Sequence, residues 1–314
     1  MLGDYTELTF LDPYLAPIVF IFGACMGSFF NVCIHRIPRK QSIVRPRSHC
    51  PSCDTLIPWY RNIPLLSWLL LRGECADCGA KISPRYFLVE LATAVLFTVA
   101  WVIMPFPASL VGMLFIGWML VTALIDLETF FLPDSLTVGG SFVGVFASLL
   151  VPELQVHVPD EGVYAFALYH AGIKSLLGIL VGSGVLLWIS IIAEKVFKRE
   201  ALGFGDVLLL GCIGSFCGVK GTLFSLFGGA ALGTAVILPL MLLERITGKK
   251  IMPRAAPEAL NPEVEPGQVF DEDPLKFGIA IPFGPWLCLA AVLYMLFFKP
   301  WVHTFLEPLH VLIR

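Results

Sequence analysis

Two aspartates stand at the borders of long apolar runs. Asp126 closes Ala123-Leu124-Ile125-Asp126, which runs on to Leu132-Pro133-Asp134, and Asp206 closes Gly203-Phe204-Gly205-Asp206. A carboxylate at such a border costs roughly 2.5–3.5 kcal/mol even on the lenient insertion scale, so its default reading is functional. The glycines ahead of Asp206 leave no side-chain bulk and let another backbone come close. Two such carboxylates in a restricted site can share a proton, one acting as base and the other as acid. That is the equipment of an aspartic protease, here inside a membrane. Taken singly, each aspartate fits a helix N-cap or a loop carboxylate equally well.

A second constellation is Cys50-Pro-Ser-Cys53 and Cys75-Ala-Asp-Cys78, two C-x2-C pairs separated by 21 residues. Each pair offers two thiolates to one tetrahedral ion, and Gly79 suits a turned knuckle, so structural zinc is the expected occupant. Disulfides are not expected in a reducing cytoplasmic loop, and a redox C-x-x-C needs only one pair. Four cysteines already close the site, which leaves His49 as a solvated histidine. The other five, Cys25, Cys33, Cys212, Cys217 and Cys288, lie within or beside apolar runs and read as packing.

The elements that position these groups follow from composition. Of 314 residues 57% are apolar and only 14% are charged, with a mean hydropathy of +0.82. Soluble domains carry about 25% charged residues, so the expectation is an all-α polytopic membrane protein with a small cytoplasmic zinc-binding loop domain. The net charge of −3 says little about partners; the lipid bilayer is one, and no nucleic acid is expected. Residues 1–13 hold Asp4, Glu7 and Asp12 but no Lys or Arg, so no cleavable signal peptide is expected.

About eight spans are legible, near 14–34, 87–103, 108–125, 135–151, 172–193, 207–219, 222–243 and 278–298. The loop 35–85 holds nine of the 21 Lys and Arg, which places it in the cytoplasm and the N-terminus outside. Residues 152–171 carry acidic but no Lys or Arg residues, as expected outside, and residues 299–314 form an outside tail. The 244–276 stretch is polar and Pro-rich, with the composition of disorder. The organisation expected is a 1–34 N-terminal segment and first span, the 35–85 four-cysteine loop, and an 86–314 membrane peptidase core. This topology puts Asp126 and Asp206 on the cytoplasmic face together.

These features resemble the bacterial type IV prepilin peptidases, of the GxGD aspartic peptidase group. The resemblance covers nearly the whole chain. It rests on Gly27-Ser-Phe-Phe-Asn31 with Arg36-Ile-Pro38, the four cysteines, and Ile82-Ser-Pro-Arg85-Tyr86 through Glu90. It continues with Asp126, Leu132-Pro133-Asp134, Gly203-Phe204-Gly205-Asp206 and Pro282-Phe-Gly-Pro285. It implies cleavage of type IV prepilin or type II secretion pseudopilin leaders at the cytoplasmic face of the bacterial inner membrane, with Asp126 and Asp206 catalytic. It also implies N-methylation of the new terminus from S-adenosylmethionine, with Gly27, Asn31 and Arg36 in the region tied to methyl transfer and substrate handling. Glu90 reads either as a partner of Arg85 or as a contact for a substrate amine, and Asp134 as the N-cap of span four. The loops at 152–171 and 244–276 look longer than the family's pattern.

No G-x-G-x-x-G follows a strand, so the methyl-donor site is not a Rossmann pocket. Two other classes compete. Intramembrane aspartates in broken helices also serve ion- or proton-coupled transport, though no inverted repeat is apparent. A zinc-dependent hydrolase fails because four thiolates leave no open position for water.

Overall fold

The computed structural model describes residues 12–155, 164–198, 203–248, 282–302 and 304–305. The 244–276 loop, the 152–171 loop and the tail after 299 therefore fall partly or largely outside the described residues. Among these residues eight α-helices follow in order: α1 Asp12–Arg36, α2 Leu66–Leu70, α3 Pro84–Ile103, α4 Ala108–Thr129, α5 Asp134–Leu150, α6 Tyr164–Phe197, α7 Phe204–Thr247 and α8 Gly284–Leu293. The chain is an all-helical polytopic membrane protein. Among the described residues the extended pairing consists of two isolated antiparallel bridges, His49 with Leu56 and Glu74 with Lys81.

Among the described residues six helices are long and apolar enough to cross a membrane: α1 from Tyr14, α3, α4, α6, α7 and the run Gly284–Val302; α5 is a shorter apolar helix. The 44 residues of α7 would reach, at about 1.5 Å each, roughly twice the ~30 Å hydrocarbon core. The helix breaks inside, at Gly218 (φ 63°, ψ −175°), a conformation that an L side chain rarely adopts. Its two halves and α5 make up the eight apolar segments expected. The break falls at Gly218 rather than at residues 220–221, and α6 starts at Tyr164 rather than near 172. The absence of basic residues from 152–171 reports the side of the membrane, not the conformation, and Tyr164–Ala171 holds no helix breaker.

The chain packs as two compact units, Met1–Val121 and Thr122–Arg314, and α4 contributes to both. In the first, α1 lies against α3 through Gly23 and Gly27, four residues apart on one face. A Cβ at Gly23 would stand 2.8 Å from the Ala94 Cα, and one at Gly27 2.6 Å from the Glu90 Cα. Small residues at this spacing let backbones meet where the hydrophobic effect gives no drive between helices. Asn31 Nδ2 donates to the Tyr86 carbonyl at 3.0 Å, tying α1 to the start of α3. Arg36, nearly buried, donates to the carbonyls of Ser42 (2.9 Å) and Pro46 (2.8 Å) and so folds the loop back on the helix end.

In the second unit α5, α6, α7 and α8 pack together. Gly178 of α6 and Gly214 of α7 touch backbone to backbone, and a Cβ on either would collide with the other's carbonyl. The break at Gly218 frees carbonyls that lipid cannot satisfy. Gln155 Nε2 caps those of Ser215 (3.1 Å) and Phe216 (2.9 Å), and the hydroxyls of Ser148 (3.0 Å) and Ser175 (2.7 Å) also donate to Ser215. Lys299 Nζ donates to the Leu154 carbonyl at 2.8 Å and Lys174 Nζ to that of Gln155 at 3.3 Å.

Candidate active site

Asp126 lies in the last turn of α4 and is 5% exposed. The turn ends where Phe130, at φ 52°, donates its N–H to the Asp126 carbonyl at 2.9 Å. The Thr129 hydroxyl secures the same end by donating to the Ile125 carbonyl at 2.9 Å. The chain then runs extended through Leu132 and Pro133 into α5. Asp134, exposed, opens α5 after Pro133, which takes the N-cap position. Its carboxylate sits where the helix dipole favours negative charge, one position inside the cap expected for it.

Asp206 lies in the first turn of α7, half-buried, behind the N-cap residue Gly203. Its N–H donates to the Gly203 carbonyl at 3.1 Å. Gly205 is where the 130–133 link presses on α7: a Cβ there would stand 3.0 Å from the Leu132 Cβ. The bare backbone before Asp206 thus admits another segment, as the sequence leads one to expect. The two carboxylates, 80 residues apart in the chain, lie within electrostatic reach of each other in the second unit.

A third group joins them. The backbone N–H of Gly284, first residue of α8, donates to the Asp126 carboxylate. A Cβ at Gly284 would stand 2.5 Å from Asp126 Oδ2 and 3.3 Å from Leu209 Cδ2. Asp126 therefore occupies the N-terminal end of α8, where unpaired amides and the macrodipole favour an anion. One turn further along, Cys288 is buried and within electrostatic reach of both carboxylates. Pro282-Phe-Gly-Pro285 is legible in the sequence as a motif, but its contribution is a backbone amide that no side chain announces.

In the first unit the four sulfurs of Cys50, Cys53, Cys75 and Cys78 lie within 4.8 Å of one another, and this cluster could hold a metal ion. The two halves have the same build. Cys50 exchanges backbone bonds with Thr55 and Asp54, and Cys75 with Ala80 and Gly79, all between 2.8 and 3.0 Å. Each knuckle turns on a residue of positive φ just after its second cysteine, Gly79 at 70° as expected and Asp54 at 56° in its counterpart. Hydrogen bonding to Thr55 lowers the Cys53 thiol to about 7, and the amides of Asp77 and Cys78 lower Cys75. At Cys78 the Ala80 amide is outweighed by the neighbouring sulfurs, beginning with Cys53, which push it up to about 12. Four thiolates this close all ionise only around a cation, which is the chemistry of a tetrahedral soft-metal site. All nine cysteines are free of disulfides. His49 stands outside the sulfur cluster, 3.8 Å from Asp54.

Glu90 is 8% exposed. Its Oε2 accepts the backbone N–H of Leu65 at 2.7 Å, and the Ser28 hydroxyl also bonds to it. The carboxylate thus holds the 35–85 loop to α3, a use the sequence does not reveal because its partner is an amide 25 positions away.

Comparison with known proteins agrees with this arrangement. Residues 21–104 match the bacterial peptidase A24 N-terminal domain, and residues 113–238 match the type IV leader peptidase family. The chain is 36% identical over 328 residues to a prepilin leader peptidase/N-methyltransferase of Myxococcus xanthus, covering 93% of each chain. It is 37% identical over 215 residues to a type 4 prepilin-like proteins leader peptide-processing enzyme of Escherichia coli, covering 62% of this chain and 74% of that one. A prepilin leader peptidase/N-methyltransferase of Klebsiella pneumoniae is 35% identical over 214 residues, 66% of this chain and 87% of that one. No solved structure matches. Each of these relatives is named a peptidase or processing enzyme, and the transport alternative finds no support among them.

Proposed function

The chain belongs to the type IV leader peptidase family, and from that premise we propose that Asp126 and Asp206 are the catalytic pair of a prepilin peptidase that also N-methylates its product. The observation that carries this reading is the meeting of two carboxylates from separate helices, one buried and bonded to the α8 amide, at the ends of apolar segments. A water held between them loses a proton to the ionised aspartate as it attacks the scissile carbonyl. The protonated aspartate donates to the carbonyl oxygen, so the tetrahedral intermediate forms without a covalent adduct. On collapse, the proton taken from water passes to the departing amine, the carbonyl oxygen returns its proton to the aspartate that gave it, and the C–N bond breaks. The pair titrates as a unit, so the proton belongs to both.

The Gly284 amide keeps one carboxylate oriented through this cycle. The substrate is a prepilin or type II secretion pseudopilin whose apolar helix lies among the spans and whose basic leader stays in the cytoplasm. The distribution of charge supports that orientation: nine basic residues in 35–85 against three acidic ones, Asp54, Glu74 and Asp77. The site then opens on the cytoplasmic face of the inner membrane.

Zinc fits the four-sulfur cluster, held by Cys50, Cys53, Cys75 and Cys78, with a structural role in the loop domain. S-adenosylmethionine would supply the methyl group, and the features before residue 91 are the region assigned to that transfer. The domain plan is therefore a 1–34 first span, a 35–85 zinc loop and an 86–314 peptidase core. Purified protein incubated with a prepilin, with and without S-adenosylmethionine, tests the whole. The mature pilin should appear in both samples and gain one methyl group only with the donor. An uncut prepilin in both would overturn the peptidase reading.

A further inference from the structure

The loop between α1 and α3 contains Ile63-Pro-Leu-Leu-Ser-Trp-Leu-Leu-Leu71, nine residues without a charge, flanked by Arg61 and Arg72. Its centre forms α2, only five residues long. A helix this short is not stable alone in water, so something outside it holds it. Two contacts do. The Leu65 N–H donates to Glu90 Oε2 at 2.7 Å, and the Trp68 ring packs on Phe87 with centroids 5.1 Å apart.

Both partners belong to α3, and that sets the level of α2 in the membrane. The 20 residues of α3 reach about 30 Å, just the hydrocarbon thickness, so nearly the whole helix is needed to cross. Phe87 and Glu90 are three and six residues in from Pro84, or about 4.5 and 9 Å along the axis. α2 is therefore pinned beside the first two turns of a spanning helix.

Trp68 faces α3, and the opposite side of α2 is apolar. Leu66, Leu69 and Leu70, at the i, i+3, i+4 spacing of one helical face, are 48%, 55% and 73% exposed. At that depth the medium they meet is lipid. We propose that Leu66, Leu69 and Leu70 enter the headgroup–acyl boundary of the bilayer the chain itself spans, making α2 a membrane-surface anchor for the four-cysteine loop. Arg72 at its end reaches anionic headgroups, while Arg61 is paired with Asp77 at 3.0 Å, and Trp59 and Tyr60, both exposed and in edge contact, carry the amphipathic rings favoured at that level. Glu90 is then a positioning residue: its carboxylate holds the entry of α2, where Leu65 sits at φ 63°. This follows for the chain as a polytopic membrane protein, whatever its catalytic pair cuts.

The test uses the full chain in nanodiscs of phosphatidylethanolamine and phosphatidylglycerol, with p-benzoylphenylalanine in place of Leu69, Leu70 or, as an exposed polar control, Ser52. Irradiation should join phospholipid to positions 69 and 70 several-fold more often than to position 52, read as added lipid mass. Equal yields at the three positions would overturn the proposal. So would crosslinks at 69 and 70 that join prepilin or a second copy instead of lipid. Metal content confirms that each variant is folded. Hydroxyl-radical labelling of the unaltered protein gives an independent reading, with residues 63–71 labelled, relative to their intrinsic reactivity, several-fold less than residues 51–57; equal relative labelling contradicts the anchor.

Discussion

The backbone N–H of Gly284 donates to the carboxylate of Asp126, and position 284 carries no side chain to crowd that carboxylate. A Cβ there would stand 2.5 Å from Oδ2, so the carboxylate would have to move. Gly284→Ala should leave α8 intact, since alanine is the better helix former. It should still slow prepilin cleavage by ~10²-fold, the scale of loss that about an ångström of misplacement brings. Cleavage rate alongside circular dichroism checks this. A folded Gly284→Ala protein that cuts at full speed would separate the contact from catalysis.

The proposed zinc site makes a compositional prediction. The purified protein should hold one zinc per chain. Cys75→Ser/Cys78→Ser, which leaves two of the four sulfurs, should lose the metal and with it thermal stability. Acid should release the metal from the unaltered protein, because protons compete for the thiolates. Full zinc occupancy in the double variant, by elemental analysis, would remove these cysteines from the site.

The two proposed activities should separate by mutation. Asp206 lies in the second compact unit, whereas the region assigned to methyl transfer lies in the first. Asp206→Ala should abolish cleavage and leave S-adenosylmethionine binding close to that of the unaltered protein, measured by calorimetry. Equal loss of both in a folded variant would argue for one shared site.

The cap at Gly218 predicts a stability effect remote from the chemistry. Gln155→Leu removes the amide that serves the Ser215 and Phe216 carbonyls. Leaving buried carbonyls short of a donor costs about 1–3 kcal/mol, so the melting temperature should fall while zinc content stays constant. An unchanged melting temperature would show that the Ser148 and Ser175 hydroxyls suffice for Ser215 and that the Phe216 carbonyl does not depend on Gln155.

What the sequence revealed was chemistry written in side chains. Asp126, Asp206 and the four cysteines are legible because carboxylates beside apolar runs are costly to keep and paired thiols at this spacing suit a metal. The eight apolar segments are legible from hydropathy alone. Gly284, Glu90 and Asp54 were not. Gly284 acts through an amide, which every residue but proline possesses. Glu90 serves a backbone partner 25 residues away, a distance that local pattern does not reach. Asp54 takes a left-handed turn that glycine takes in the second knuckle, so composition hides the likeness of the halves. α2 is too short for periodicity to register, and Gly218 is one of 28 glycines until its dihedrals single it out.

The central claim is the pair itself. Asp126→Asn and Asp206→Asn keep size and most hydrogen bonding while removing the ionisable carboxyl. An amide completes neither proton transfer, and general acid–base catalysis contributes roughly 10²–10⁴ in rate. Because the two act as one unit, each single variant should lose nearly as much as the double. The direct measurement is the rate of prepilin cleavage by each folded single variant in detergent or membranes. Both rates should fall at least ~10²-fold; cleavage near the unaltered rate by either one would contradict the account.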